Sequence, residues 1–233
     1  MPSDKPTSLA AWMESLAFRA WHDTLFLDIH ATLTLGFSLR TQGERNIPAV
    51  GPALIVANHQ SYLDPPMICL AARRRLVYLA RKSLFRNRLF GALLRSLNAV
   101  PIDQEGIGKE GIKMILDQLG LGKPVVVFPE GERTWDGNMQ PLKAGIHLLI
   151  KRTRAPIVPV GIAGAYDAWP RWRAFPTLAP LFLPCGSGTI SVSVGKPIDA
   201  RRFAEMPREH ALAELFDKIA IEQQHAEKLR RVH

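Results

Sequence analysis

Ala53-Leu54-Ile55-Val56-Ala57-Asn58-His59-Gln60-Ser61-Tyr62-Leu63-Asp64 is the stretch on which the reading of this chain turns. Its first five residues are an apolar run, which reads as a buried strand. Directly after it come an imidazole and a carboxylate five residues apart. A second stretch repeats the design: Val125-Val126-Val127-Phe128 is apolar, and Pro129-Glu130-Gly131-Glu132-Arg133 follows. Each polar motif therefore sits where a buried strand ends and a loop begins. In open α/β sheets that is where ligands bind.

The chemistry of these residue types is specific. Histidine is the side chain best suited to take a proton from a hydroxyl near neutral pH. A nearby carboxylate fixes its tautomer and stabilises the imidazolium as it forms. Arginine clamps an anion through two parallel hydrogen bonds, and a glycine beside it lets backbone approach a ligand. A base, its orienting carboxylate and an anion clamp suit group transfer to an alcohol on a phosphate-bearing molecule.

Working outward, strands and helices alternate. Arg45 to Pro48 and Gly51-Pro52 mark a turn into the first core strand. Helices are expected over 63–72, 89–97, 107–121 and 144–153, with Gly122 closing the third as a C-cap. Strands are expected over 76–80, 99–103, 125–128, 157–162 and 189–194. Residues 163–187, rich in Pro and Trp, read as a long ordered loop, and 200–229 as polar helix. This pattern predicts an α/β fold with helices on both faces of a mixed central sheet.

With these residues in view, the chain resembles the lysophospholipid acyltransferases related to bacterial 1-acylglycerol-3-phosphate acyltransferase. The resemblance rests on His59 with Asp64, on Phe128 to Arg133 with Glu132 in place of the usual Thr, and on Val158-Pro159-Val160. It covers roughly residues 40–200. It implies a glycerol-3-phosphate acyltransferase-like fold and His59 as general base toward the acceptor hydroxyl. Asp64 would orient the imidazole. Glu130, Gly131 and Arg133 would lie at the acceptor headgroup, and Lys82 near its phosphate. The acyl donor would be acyl-CoA or acyl carrier protein, the acceptor a lysophospholipid, and no cofactor or metal is implied. One departure stands out: Gln104 occupies a position where the family often has Arg, and Asn98 replaces a Gly. A different lysolipid acceptor is therefore an alternative to 1-acylglycerol-3-phosphate.

Composition bounds the remaining classes. The 233 residues are 47% hydrophobic and 22% charged, ordinary for one globular domain. Cys69 and Cys185 form no C-x-x-C and no zinc spacing, which suggests buried thiols in a reducing compartment. The net charge is +9, and eight Arg and Lys residues from Arg73 to Arg95 lie in a stretch without a single acidic residue. Such a field attracts anionic surfaces. No helix-turn-helix, zinc-finger or aromatic RNA-binding motif accompanies it, so a nucleic-acid or non-catalytic membrane-binding module rests on charge alone. A hydrolase using Ser61 lacks any G-x-S-x-G elbow.

Residues 8–37 read as helical, with Trp21-His22-Asp23 as the place where the helix would break in two. Trp12, Leu16 and Trp21 suit a helix lying at a membrane interface; packing onto the sheet is the competing reading. The division expected is a helical docking segment over 1–37 and an acyltransferase domain over 38–233. With no signal peptide and no spanning stretch in the sequence, the expected location is peripheral, on the cytoplasmic face of the membrane.

Overall fold

The computed structural model describes residues 9–102, 108–184 and 186–230, with side chains described from residue 20 onward, residue 22 excepted. Gln104 and Cys185 lie outside the described residues. Among the described residues seven strands occur: β1 (Arg40–Gln42), β2 (Ala53–Ala57), β3 (Val77–Arg81), β4 (Ala99–Ile102), β5 (Pro124–Val127), β6 (Ile157–Ala163) and β7 (Ser191–Val194). The helices are α1 (Leu9–Phe37), α2 (Asp64–Ala72), α3 (Arg88–Ser96), α4 (Lys109–Gly120), α5 (Gly145–Arg152), α6 (Ala165–Ala168), α7 (Ala200–Ala204) and α8 (Arg208–Leu229).

All seven strands form one sheet in the order β1-β7-β6-β2-β5-β3-β4. β2 lies in the middle, parallel to β5 and to β6. β3 runs parallel to β5 and to β4. Among the described strands only the β6–β7 pairing is antiparallel, so the sheet is mixed, as expected. Because β2, β3, β4, β5 and β6 run the same way, their C-terminal ends share one edge. The loops leaving that edge carry the motifs.

Every residue of β2 is buried because both faces of the sheet are covered. Ala53, Ile55 and Ala57 point into a core with α1 and α2, through Leu33, Phe37, Met67 and Ile68. Leu54 and Val56 point into a second core with α4, α5, α7 and α8, through Ile115, Leu149, Phe203 and Leu215. α8 lies directly on β6. A Cβ on Gly161 would meet the backbone of Glu222 and Gln223 at 2.0 Å, so only glycine permits this approach.

The expected elements are present to within a few residues, with four differences. α1 is a single unbroken helix through Trp21-His22-Asp23. Its stripe Phe26, Ile29, Leu33 and Phe37 faces the core at helical spacing, which holds the last turns in place. Trp21, Leu27 and Leu35 stand on the exposed side. The expected helix over 200–229 is two, α7 and α8, parted before Pro207 because proline cannot continue a helix through its ring. Residues 163–187 include the short helix α6. β1 was not expected from sequence, since three residues show no period; it adds to β7 at the sheet's edge. Cys69 is half-buried rather than buried. No helix among the described residues is long and apolar enough to cross a membrane.

Candidate active site

His59 leaves β2 two residues after the strand ends. Asn58 fixes the exit: its side-chain amide donates to the Ile162 carbonyl at 3.0 Å and accepts from the Ile162 N–H at 2.7 Å. The chain then turns tightly and enters α2 at Asp64. Asp64 is fully buried, and its Oδ2 collects three donors. These are His59 Nδ1 at 2.7 Å, Gln60 N at 2.5 Å and Ser61 N at 2.8 Å. The carboxylate thus both shapes the turn and holds the imidazole, and it does so from the first residue of α2 rather than as its N-cap. With Nδ1–H donated to Asp64, Nε2 is the basic nitrogen.

The ring of His59 stacks on Phe128 with centroids 3.9 Å apart and planes 15° from parallel. Its side chain is 18% exposed. Imidazole orientation is therefore fixed by a hydrogen bond at one edge and an aromatic face beneath.

The loop after β5 comes alongside. Thr134 N donates to the His59 carbonyl at 2.9 Å. Gly131 takes φ +81°, a conformation that only glycine adopts without strain. The guanidinium of Arg133 lies 3.5 Å from the centre of the Tyr62 ring, and its buried Nη1 has no hydrogen-bond partner. A buried guanidinium N–H without an acceptor is costly and is suited to an incoming anion.

Glu130 behaves differently from the expectation that it faces a headgroup. It is 1% exposed. Oε1 accepts from the His59 N–H and Oε2 from the Gln140 N–H, both at 2.7 Å. Burial pushes its carboxyl from 4.5 up to about 7, against the opposing pull of those two amides. Glu130 ties the two loops together from below the site. Lys82 is exposed in the turn leaving β3, on the same edge of the sheet but beyond β5 from His59. Val158-Pro159-Val160 lies within β6, where Pro159 pairs with Val56, so this block supports the strand that delivers His59.

Ser61 is fully buried, and its hydroxyl donates to the Trp169 carbonyl at 2.7 Å. It is engaged in holding the loop after β6, which leaves the serine-hydrolase reading without a nucleophile there.

Several residues at this edge carried no motif in the sequence. Arg171 donates to Glu132 Oε2 at 3.2 Å and to the Arg133 carbonyl at 3.1 Å, with its guanidinium 3.4 Å from the Trp135 ring centre. Tyr166 OH donates to the Trp135 carbonyl at 3.0 Å. The loop after β6 thus closes onto the loop after β5. The sequence signal was present only in pairs: Glu132 where the resembled family has Thr, and an Arg in the Trp-rich segment to meet it.

A His–Asp pair thus stands at the end of the central strand, with a half-buried arginine on the neighbouring loop. Residues 38–163 match the family model described as Acyltransferase, more than half of the chain, and the chain belongs to that family. Among its relatives is the 1-acyl-sn-glycerol-3-phosphate acyltransferase of Bacillus subtilis (strain 168), 26% identical over 188 residues, 80% of this chain and 87% of that protein. The 1-acyl-sn-glycerol-3-phosphate acyltransferase of Streptococcus pneumoniae is 31% identical over 113 residues, spanning 48% of this chain and 41% of that longer protein. The crystal structure of the 1-acyl-sn-glycerophosphate (LPA) acyltransferase from Thermotoga maritima superposes with a TM-score of 0.68. It covers 91% of this chain and 78% of the other at 23% identity, which establishes the shared fold.

Proposed function

We propose that this acyltransferase moves a fatty acyl group from an acyl thioester to the free hydroxyl of 1-acyl-sn-glycerol 3-phosphate, giving phosphatidic acid. The observation that carries the reading is the His59–Asp64 bond of 2.7 Å beside the partnerless Nη1 of Arg133. The named activity of the Bacillus relative, which aligns over most of both chains, supports the choice of acceptor.

His59 Nε2 takes the proton of the acceptor hydroxyl as its oxygen attacks the thioester carbonyl carbon. The Asp64 carboxylate stabilises the imidazolium. The tetrahedral intermediate collapses, the C–S bond breaks, and the imidazolium returns its proton to the departing thiolate. General-base assistance of this kind contributes about 10²–10⁴-fold in rate. Arg133 holds the acceptor phosphate, with the Gly131 backbone and Lys82 near it, while Glu130 positions the loop that carries Arg133 and Gly131. The donor is acyl-CoA or acyl carrier protein. The chain works as a peripheral protein, with α1 and the basic stretch beside the bilayer and 38–233 as the catalytic domain.

The test is a panel assay: purified protein, several lysolipid acceptors, both donors, and mass detection of the diacyl product. Phosphatidic acid formation strictly dependent on lysophosphatidic acid supports the reading. Thiol release that needs no acceptor would replace it with thioester hydrolysis.

A further inference from the structure

The loop between β6 and β7 starts and ends on the edge of the sheet that carries His59, because these two strands are antiparallel neighbours. From Ala174 to Gly188 it contains no charged residue. It is nonetheless anchored. Ala179 N donates to the Gly36 carbonyl and Leu181 N to the Leu35 carbonyl, both at 2.9 Å. The buried Ser38 hydroxyl donates to the Ala179 carbonyl at 2.7 Å. These bonds tie the loop to the end of α1, while Arg171 ties its beginning to the Arg133 carbonyl.

A loop held this firmly would be expected to tuck its large apolar side chains inward. It does the reverse. Trp172, Phe175, Leu178, Leu181, Phe182 and Leu183 are all exposed, Phe175 at 80% and Phe182 at 79%. Exposed apolar residues in such a cluster mark an interaction surface. On the opposite side of the same edge, the end of β3, the turn after it and the start of α3 expose Leu84, Leu89 and Phe90 among the exposed Arg81, Lys82, Arg86 and Arg88. The surroundings of His59 are therefore apolar on one flank and apolar with four cations on the other.

We propose that this edge, led by Phe175 and Phe182, inserts into the interface of an anionic phospholipid bilayer, so that the docking surface is the rim of the site itself. The proposal rests on the acyl-transfer reading for its purpose but not for its physics. Aromatic and aliphatic tips seat at the headgroup–acyl boundary, and neighbouring Arg and Lys meet the lipid phosphates. A second copy of this chain is a poorer occupant, because two molecules each carrying a net charge of +9 repel, whereas an anionic bilayer attracts both flanks. Docking by this surface turns the edge that carries His59 toward the headgroup layer, where a lysolipid hydroxyl resides. It also divides the basic stretch by role. Arg81 to Arg88 belong to the docking edge, whereas Arg74, at the end of α2 and the other edge of the sheet, donates to the Pro48 and Gly51 carbonyls and serves the fold.

The experiment uses full-length protein and the variant Phe175→Ser/Phe182→Ser, with Trp21→Ala as a comparison on α1. Vesicles of phosphatidylcholine with and without phosphatidylglycerol are the probe, read by co-sedimentation and tryptophan emission. Wild type should bind the anionic vesicles with a blue-shifted emission, and the double variant should bind on the order of tenfold more weakly or worse. Thermal unfolding should be unchanged, since both side chains are exposed. Acyl transfer to a short-chain lysolipid dissolved below its aggregation point should persist in the double variant, while transfer to a vesicle-embedded acceptor falls. Vesicle binding equal to wild type overturns the proposal. So does an equal loss on both acceptors, or a wild-type dimer that the double variant abolishes. Failure of the function reading looks different: no transfer by wild type to the dissolved acceptor, with vesicle binding still lost in the variant.

Discussion

His59 depends on one oxygen. Oδ2 of Asp64 fixes both the imidazole and the two amides of the turn that presents it. His59→Ala removes the base, its stacking on Phe128 and one of the three donors to Asp64, but the two turn amides remain, so the fold should persist and turnover should drop by ~10²–10⁴-fold. Asp64→Asn should lower turnover while retaining acceptor affinity, with a measurable loss of stability because a carboxylate serving three donors has been weakened. Steady-state kinetics of each purified variant decide this, and near-wild-type turnover of His59→Ala would end the mechanism. Arg133→Ala should act elsewhere, on acceptor KM. Losing a charged hydrogen-bond partner costs about 1.5–3 kcal/mol, roughly ten- to a hundredfold in affinity, while donor KM stays constant.

Glu130 makes a prediction in pH at the same scale. Its carboxyl is raised from 4.5 to about 7 by burial. The folded state then holds a proton that the unfolded state has already released. The resulting stabilisation is fully present below 4.5 and is lost as pH rises through about 7. In Glu130→Gln this dependence is gone. The stability of the variant relative to wild type should therefore improve between pH 5 and pH 8, by about 1–3 kcal/mol. Denaturant titrations at both pH values measure it, and a difference that does not move with pH would refute the assignment.

At the scale of elements, α1 has two characters. Its last three turns bury Leu33 and Phe37 against the sheet, whereas Leu27, between them and Trp21, is 65% exposed. Leu33→Ala should cost about 2–5 kcal/mol as a cavity in the core, while Leu27→Ala should stay within about 0.5 kcal/mol. Chemical denaturation checks both; similar costs at the two positions would mean that the helix packs differently. Periodicity made α1 legible but not its facing, because apolar residues occur around much of the helix. The strands β2 and β5 were legible as unbroken apolar runs, and with them the exits that carry His59 and Arg133. β1 was not, since three residues carry no period. Nor was the inward turn of Glu130, which depends on the Gln140 amide ten residues away. Arg171 reaches Glu132 and Arg133 only because β6 lies beside β2, a pairing no local pattern states.

For the whole molecule, the net charge of +9 and the apolar loop act by different physics, and salt separates them. The field of Arg81, Lys82, Arg86 and Arg88 decays over a Debye length of about 10 Å at 0.1 M salt and about 3 Å at 1 M. Burial of Phe175 and Phe182 is not screened, and added salt does not weaken it. Wild-type binding to anionic vesicles should therefore fall with salt to a plateau above zero. Phe175→Ser/Phe182→Ser should retain a weaker, purely electrostatic component that high salt removes altogether. Neutralising Arg86 and Arg88 to Gln should leave a wild type-like plateau and flatten the slope that precedes it. Each cation close to the surface is worth about 1 kcal/mol, so the flattening should be resolvable in a titration. Wild-type binding that high salt abolishes completely would make the contact electrostatic alone and leave the exposed aromatics without a role at the bilayer.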